Sequence, residues 1–282
     1  VQSCEPSQAY KIAFSGLDSS VAGDIEHTFA NAGITIISNS KNHRMSLNVP
    51  LLIPDVNPDH VDLIKHQVYT NRGAIVTNPN CSVVGLVMAL KPILDRWKIK
   101  KVDVMTMQAL SGAGYPGVPS MEVIDNVIPY ISDEEEKIET EPKKILGRLK
   151  NGAIDFVEMV IRAHCNRVGV IDGHTECVTV ELEGNPSKEE IIESWRSYRS
   201  VPQELKLPSA PERPIVYFDE EAYPQPRKHR DLGCGMTTSV GRLRRCSDGA
   251  WKFVVLSHNT IRGAAGGAIL NAELLSRKGY LQ

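Results

Sequence analysis

Lys11-Ile-Ala-Phe-Ser-Gly-Leu17 runs directly into Asp18-Ser19-Ser20. The apolar stretch reads as a buried strand, and the polar trio after it can cap a helix over 21–32. Gly33 supplies a left-handed stop. Ile34-Thr-Ile-Ile37 forms the next strand and Ala74-Ile-Val-Thr77 a further one. Strand, helix, strand in this rhythm predicts a parallel α/β sheet.

Working outward, a second helix starts at Cys81. Val83, Val87, Leu90, Leu94 and Trp97 recur at spacings of four and three and lay one apolar stripe along it. Pro92 lies inside that pattern, so the helix should kink or end nearby. Beyond it the texture turns strand-rich, with strands expected over 101–110, 157–163, 176–182, 236–245 and 252–257. Ser247-Asp248-Gly249 makes a hairpin turn between the last two. Residues 201–230 hold six of the 17 prolines and predict an extended arm covering the sheet. A small-residue helix over 262–277 closes the chain.

Composition excludes several classes. Lys and Arg number 32 against 34 Asp and Glu, which argues against a nucleic-acid partner. No apolar run approaches the roughly 18 residues of a membrane span. Residues 1–10 lack the basic and apolar regions of a signal peptide. Six irregularly spaced cysteines are too few for a disulfide scaffold and suggest free thiols in a reducing, cytoplasmic setting.

Three clusters carry chemistry. Asn78-Pro79-Asn80-Cys81 ends a strand and opens a helix. A thiol there meets backbone N–H groups and the positive end of the helix dipole, which favour thiolate and could stabilise a negative oxygen. Cys81 is thus a candidate nucleophile, although taken alone a cysteine in such a place is more often a small core residue. Gln108-Ala-Leu-Ser111-Gly112-Ala113-Gly114 contains, with Gly117, a literal dinucleotide fingerprint. Pro116 and Pro119 spoil the helix that should follow, so these glycines are better read as a tight loop allowing close approach of backbone to a ligand. Arg167-Val-Gly-Val-Ile-Asp172-Gly-His174 pairs a carboxylate-forking arginine with a proton-shuttling histidine. A zinc site from His164, Cys165, His174 and Cys177 is set aside, because adjacent strand residues point to opposite faces. Asp133-Glu-Glu-Glu136 is most simply a solvated helix start.

Taken in order, these motifs, with Glu134-Glu-Glu-Lys137 and the stretch 259–266, resemble the aspartate-β-semialdehyde dehydrogenase family, in its archaeal and fungal branch. The resemblance covers essentially the whole chain. It implies an α/β fold: a truncated Rossmann-like parallel sheet in 1–80, an α+β catalytic and dimerisation domain in 81–258, and a C-terminal helix, 259–282, packing on the first. By the same resemblance Cys81 is the thioester-forming nucleophile, Gln108 orients the acyl group, and His174 is the general acid/base. Arg167 grips the substrate carboxylate and Glu134 its amino group, with Asn80 beside them. Lys137 and Arg44 hold phosphate; Asn259, Gly112 and Gly114 contact the cofactor, NADP. The implied reaction is NADPH-dependent reductive dephosphorylation of L-4-aspartyl phosphate to aspartate semialdehyde, on the route to threonine, methionine and lysine, by a homo-dimer or tetramer. The sequence departs from the family in three ways. It lacks the family's opening strand and Gly-rich phosphate loop, which predicts weak or absent NADP binding. Gly169 stands where proline is usual, and Val83 where threonine is common. The alternative function is a catalytically silent paralogue acting through oligomerisation.

Overall fold

A computed structural model describes residues 4–7 and 9–281. The signal-peptide expectation for 1–10 and the first expected domain therefore include positions outside the described residues.

Strand β1 (Ile12–Ser15), helix α1 (Ser19–Asn31), β2 (Thr35–Ser38) and β3 (Ala74–Thr77) build a parallel three-stranded sheet in the order β1-β2-β3. The caps act as the sequence predicts. Asp18 accepts from the Ser20 amide, and Gly33 takes φ +91° at the end of α1. Helix α2 (Cys81–Leu94) follows and ends two residues past Pro92. It is apolar nearly all round because it is covered on all sides, the signature of a central helix.

β4 (Ile99–Gln108), a short α3 (Ser120–Val123) and α4 (Glu134–Ile145) come next, then the small hairpin β5 (Arg148–Lys150) and β6 (Ala153–Asp155). β7 (Val160–Arg167), β8 (His174–Leu182), α5 (Lys188–Arg196), α6 (Val201–Glu204), β9 (Ile215–Phe218), α7 (Pro226–His229), β10 (Thr238–Arg245) and β11 (Trp251–Ser257) follow. A mixed six-stranded sheet forms in the order β7-β4-β8-β11-β10-β9. Its inner face, including Val102, Val104, Val178, Val180, Phe253 and Val255, packs with α2 in one core. Trp195 of α5 is fully buried there and donates its indole N–H to Ala89 O. The chain ends with a π-helical turn (Ile261–Ala265) and α8 (Gly266–Arg277), whose Leu270 and Leu274 share a core with Ile37 and Val76 of the first sheet.

Two expectations need correction. The proline-rich arm is more than a cover, because β9 joins the sheet as an edge strand parallel to β10. Pro214 stands just before β9 and needs no ladder donor there, while its carbonyl accepts from the Thr238 amide. β7 lies three to four residues later than expected, since Arg162 and His164 occupy its outward positions while Ile161, Ala163 and Cys165 face the core.

Candidate active site

The nucleophile is seated first by backbone. Where β3 ends, the Asn78 amide donates to Ser38 O and its side-chain N–H groups donate to Asn39 Oδ1 and Ala264 O. Asn80 caps α2, its Oδ1 accepting from the Ser82 and Val83 amides at 3.0 and 3.4 Å. Cys81 is then the first residue of the helix, with Sγ 3.1 Å from His174 Nε2. Gly263 in the π-turn presses against it. A Cβ on Gly263 would sit 2.9 Å from Cys81 Cβ, closer than real contacts allow. π-turns of this kind are concentrated at functional sites.

The other groups arrive from the end of the large sheet. In register, Gln108 pairs with Arg167 across β4 and β7, and Met107 with Thr175 across β4 and β8. Gln108, Arg167 and His174 therefore emerge side by side. Arg167 Nη1 donates to Ala109 O at 2.7 Å, and the Ala109 amide donates to His174 Nδ1 at 3.0 Å. Because Nδ1 accepts, the proton of a neutral imidazole lies on Nε2, facing Sγ. Burial lowers the His174 pKa to about 3, with the nearby Arg167 and His258 acting in the same direction. The ring is therefore a neutral N–H donor near pH 7. Gly112 makes this approach feasible, since a Cβ there would meet Arg167 Nη1 and the His174 ring at 2.9 Å. The close approach expected of the glycine loop is thus an approach to the site's own side chains. Gly114, at φ +68°, borders open space.

The structure corrects the expected thiolate. Burial pushes the Cys81 thiol up to about 12 and the Glu134 charge adds to this; Arg44, Arg167 and the Ser82 amide pull the other way. The two amides that might have served a negative oxygen are also taken by Asn80 Oδ1.

Helix α4 closes the site. Glu134, which the sequence placed most simply in solvent, is buried, and both its oxygens accept from Asn80 Nδ2. Gln108 Nε2 and Lys137 Nζ donate to it as well, at 3.1 and 2.9 Å. Arg44 reaches in from the 39–49 segment. Its Nη1 pairs with Glu141 at 2.9 Å and its Nη2 donates to Asn39 O. Asn259 is buried, accepting from the Gly173 amide and donating to Ser111 Oγ, both at 2.8 Å. It ties the Gly112 loop to the segment leading into His174. The fold thus assembles Asn80, Cys81, Gln108, Glu134, Lys137, Arg167 and His174, with Arg44 one carboxylate away. Sequence inspection missed Glu141, Lys144 and Gly263. The available signal was the 134, 137, 141, 144 spacing, which sets four charges on one helix face.

His164 is exposed while Cys165 is buried, as strand alternation requires. Among the described residues all six cysteines are free, and no helix is long and apolar enough to cross a membrane.

A parallel α/β layer joined to a mixed sheet, with a Cys–His pair where the two meet, is the arrangement of a dehydrogenase that works through a cysteine thioester. Residues 2–64 match the domain described as "Semialdehyde dehydrogenase, NAD binding domain", and residues 90–262 match "Semialdehyde dehydrogenase, dimerisation domain". The aspartate-semialdehyde dehydrogenase of Archaeoglobus fulgidus is 48% identical over 95% of this chain and 77% of its own length. That of Schizosaccharomyces pombe is 45% identical over 100% and 82%. The crystal structure of the Candida albicans enzyme with NADP superposes with TM-score 0.90 at 42% identity, covering 99% of this chain and 82% of that one. The chain belongs to the aspartate-semialdehyde dehydrogenase family.

Proposed function

We propose that this chain interconverts L-aspartate 4-semialdehyde plus phosphate with L-4-aspartyl phosphate, using NADP and a thioester on Cys81. The observation that carries the assignment is Cys81 Sγ at 3.1 Å from His174 Nε2, with the charges of Arg44 and Arg167 both acting on the thiol and Lys137 held nearby on Glu134. A substrate anionic at both ends needs two cationic grips of this kind. Nothing in the site favours the silent-paralogue alternative.

In the oxidative direction the Cys81 thiol gives its proton to solvent and the thiolate adds to the semialdehyde carbonyl. The C=O π pair moves onto oxygen, where His174 Nε2–H hydrogen-bonds it, and loss of hydride from that carbon re-forms C=O as the thioester. The substrate ammonium, placed on Glu134, cancels the charge that helps hold the thiol protonated, so substrate binding itself favours thiolate. Arg167 still has donors beyond the one engaged by Ala109 O and can fork the α-carboxylate. Phosphate, held by Lys137 and Arg44, then attacks the thioester carbon; the C–S bond breaks and Cys81 is regenerated.

The described residues offer part of a nucleotide site, too small by itself for a whole dinucleotide, which agrees with the weak NADP binding expected from the sequence. At the carboxyl end of β1, where parallel sheets bind nucleotides, Ser15 Oγ is buried without a partner. A cavity of about 150 Å³ lies there, lined by Ser15, Gly16, Leu17 and Glu26 among others. Ser15 and Gly16 would hold the nucleotide end, and Asn259 with the Gly112–Gly114 loop the nicotinamide end. NADP supplies the redox chemistry, accepting hydride in this direction and donating it in biosynthesis. We divide the chain at 80 and 258 into nucleotide-binding part, catalytic and dimerisation part, and returning helix. We assign it to a homo-dimer or tetramer in the reducing cytoplasm, serving threonine, methionine and lysine synthesis.

The test is phosphate-dependent NADP reduction with aspartate semialdehyde by the purified protein and its Cys81→Ala variant. Activity in the first and none in the second is expected. Equal activity in both would refute the thioester.

A further inference from the structure

Helix α4 carries two buried charged residues that touch none of the reacting groups. Lys144 is 1% exposed and Glu141 2%. Lys144 Nζ donates to Arg44 O, Ser46 O and Val49 O at 2.7, 2.7 and 2.8 Å. Three donors are all an ammonium has, and here all three engage carbonyls of the 44–49 segment. Glu141 works on the same segment from its other side. One carboxylate oxygen takes Arg44 Nη1 at 2.9 Å and the other takes the Asn80 amide at 2.7 Å. Arg44 is therefore fixed at its main chain by Lys144 and at its guanidinium by Glu141, which in turn holds the residue before Cys81. Burying an ammonium is costly, and an apolar side chain could fill the same space. It could not gather three carbonyls.

We propose that Lys144, as a charged three-donor ammonium, is a positioning residue for the phosphate grip, setting Arg44 against the phosphate side of Cys81. This rests on the phosphate role given to Arg44 above. A neutral amine has two N–H donors, so loss of the proton orphans one carbonyl and loosens the 44–49 segment. The ionisable groups around Lys144 are Glu141 on its own helix, Arg44 from the clamped segment, and His60 from the 3-10 turn His60–His66, whose Nε2 lies on Gly147 O and which burial keeps neutral. Burial opposes the charge most strongly and lowers the Lys144 pKa to about 8, while Glu141 favours it. The clamp is complete below that pH and is lost as pH rises through it. Inorganic phosphate only gains negative charge over the same range, so its own titration would tighten binding.

The experiment is calorimetric titration of the full chain with inorganic phosphate at about pH 7 and about pH 9.5. Wild type, Lys144→Met and Arg44→Gln are compared, with thermal melting as a check on folding. Wild type should weaken about tenfold between the two pH values, a change of about 1.4 kcal/mol. Lys144→Met should be about tenfold weaker already at the lower pH and change little between the two, with the KM for semialdehyde within about twofold of wild type. A folded Lys144→Met that binds phosphate like wild type, while Arg44→Gln is weakened, overturns the positioning role alone. Arg44→Gln binding phosphate like wild type overturns the role of Arg44 and the proposal with it. Should Lys144→Met fail to fold, the wild-type comparison decides, and equal or tighter binding at the higher pH overturns the proposal.

Discussion

Gly263→Ala is the sharpest test of how the nucleophile is seated. The added Cβ would lie 2.9 Å from Cys81 Cβ, 3.0 Å from its Cα and 3.1 Å from its carbonyl oxygen, where ordinary contact begins at 3.4 Å. The helix start or the π-turn must therefore move by about 0.5 Å, the difference between 3.4 and 2.9 Å. All three atoms belong to one residue at the head of a helix, so no flexible side chain can swing aside. The helix start is further held by the Asn80 cap and by Glu141 on the Asn80 amide. Overpacking of this sort costs about 1–3 kcal/mol, and the melting temperature of a chain this size should fall by roughly 2–4 °C for each. Since a 1 Å misplacement of a reacting group costs about a hundredfold, kcat should drop about tenfold. The KM values for semialdehyde and phosphate should stay within about twofold, because Arg167 and Arg44 lie on other segments. Initial rates of phosphate-dependent NADP reduction, with a melting curve on the same sample, measure all of this. A variant with wild-type kcat and melting temperature would show that Gly263 does not set the position of Cys81.

Arg167→Lys keeps charge but loses the planar fork, so the semialdehyde KM should rise about tenfold or more while the phosphate KM holds. An equal rise in both would remove Arg167 from the carboxylate role. With its thiol pushed up to about 12, Cys81 should alkylate with iodoacetamide at a rate that climbs steadily from pH 7 towards pH 10; a plateau near neutrality would contradict this. Glu134→Gln removes a charge that raises the thiol pKa, so Cys81 alkylation at pH 7 should quicken, and an unchanged or slower rate would disprove that coupling. His174, lowered to about 3, stays neutral as pH falls from 7 to 5, so the acid limb of kcat/KM should show no ionisation near the usual histidine value; a clear inflection there that vanishes in His174→Asn would refute it.

Much of this site could be found in the sequence because its members stand at element boundaries. Cys81 begins a helix, Gln108 and Arg167 end strands, and His174 begins one, and such junctions show themselves through Asn, Pro and Gly. Glu141 and Lys144 were not legible. Charged residues inside a helix are ordinarily solvated, and helical spacing tells which face they share but not what covers it. The ammonium clamp appears only once 44–49 is brought onto α4, across about a hundred residues of chain. β9 escaped notice because six prolines in 201–230 suggested a covering loop, whereas an edge strand needs donors on one side only. β7 was expected to stop at 163 because His164 looks like a strand's end when it stands at one of its outward positions. The thiol's environment was misjudged because helix-terminus chemistry is local and burial is not.

Gln108 and His174 sit on neighbouring interior strands of the large sheet, while Arg167 closes β7 and is bridged on its far side by Ile128. Gln108 and His174 belong to ladders that open only when the sheet comes apart, so their amides should exchange with solvent deuterium slowly. The Arg167 amide instead donates to Ile128 O outside the sheet and should exchange sooner. No partly unfolded form could keep these three groups aligned, because one residue of register slip turns every side chain of a strand to the opposite face. Loss of turnover in denaturant should therefore coincide with loss of the sheet, and refolding should restore activity only when the last of these strands has docked.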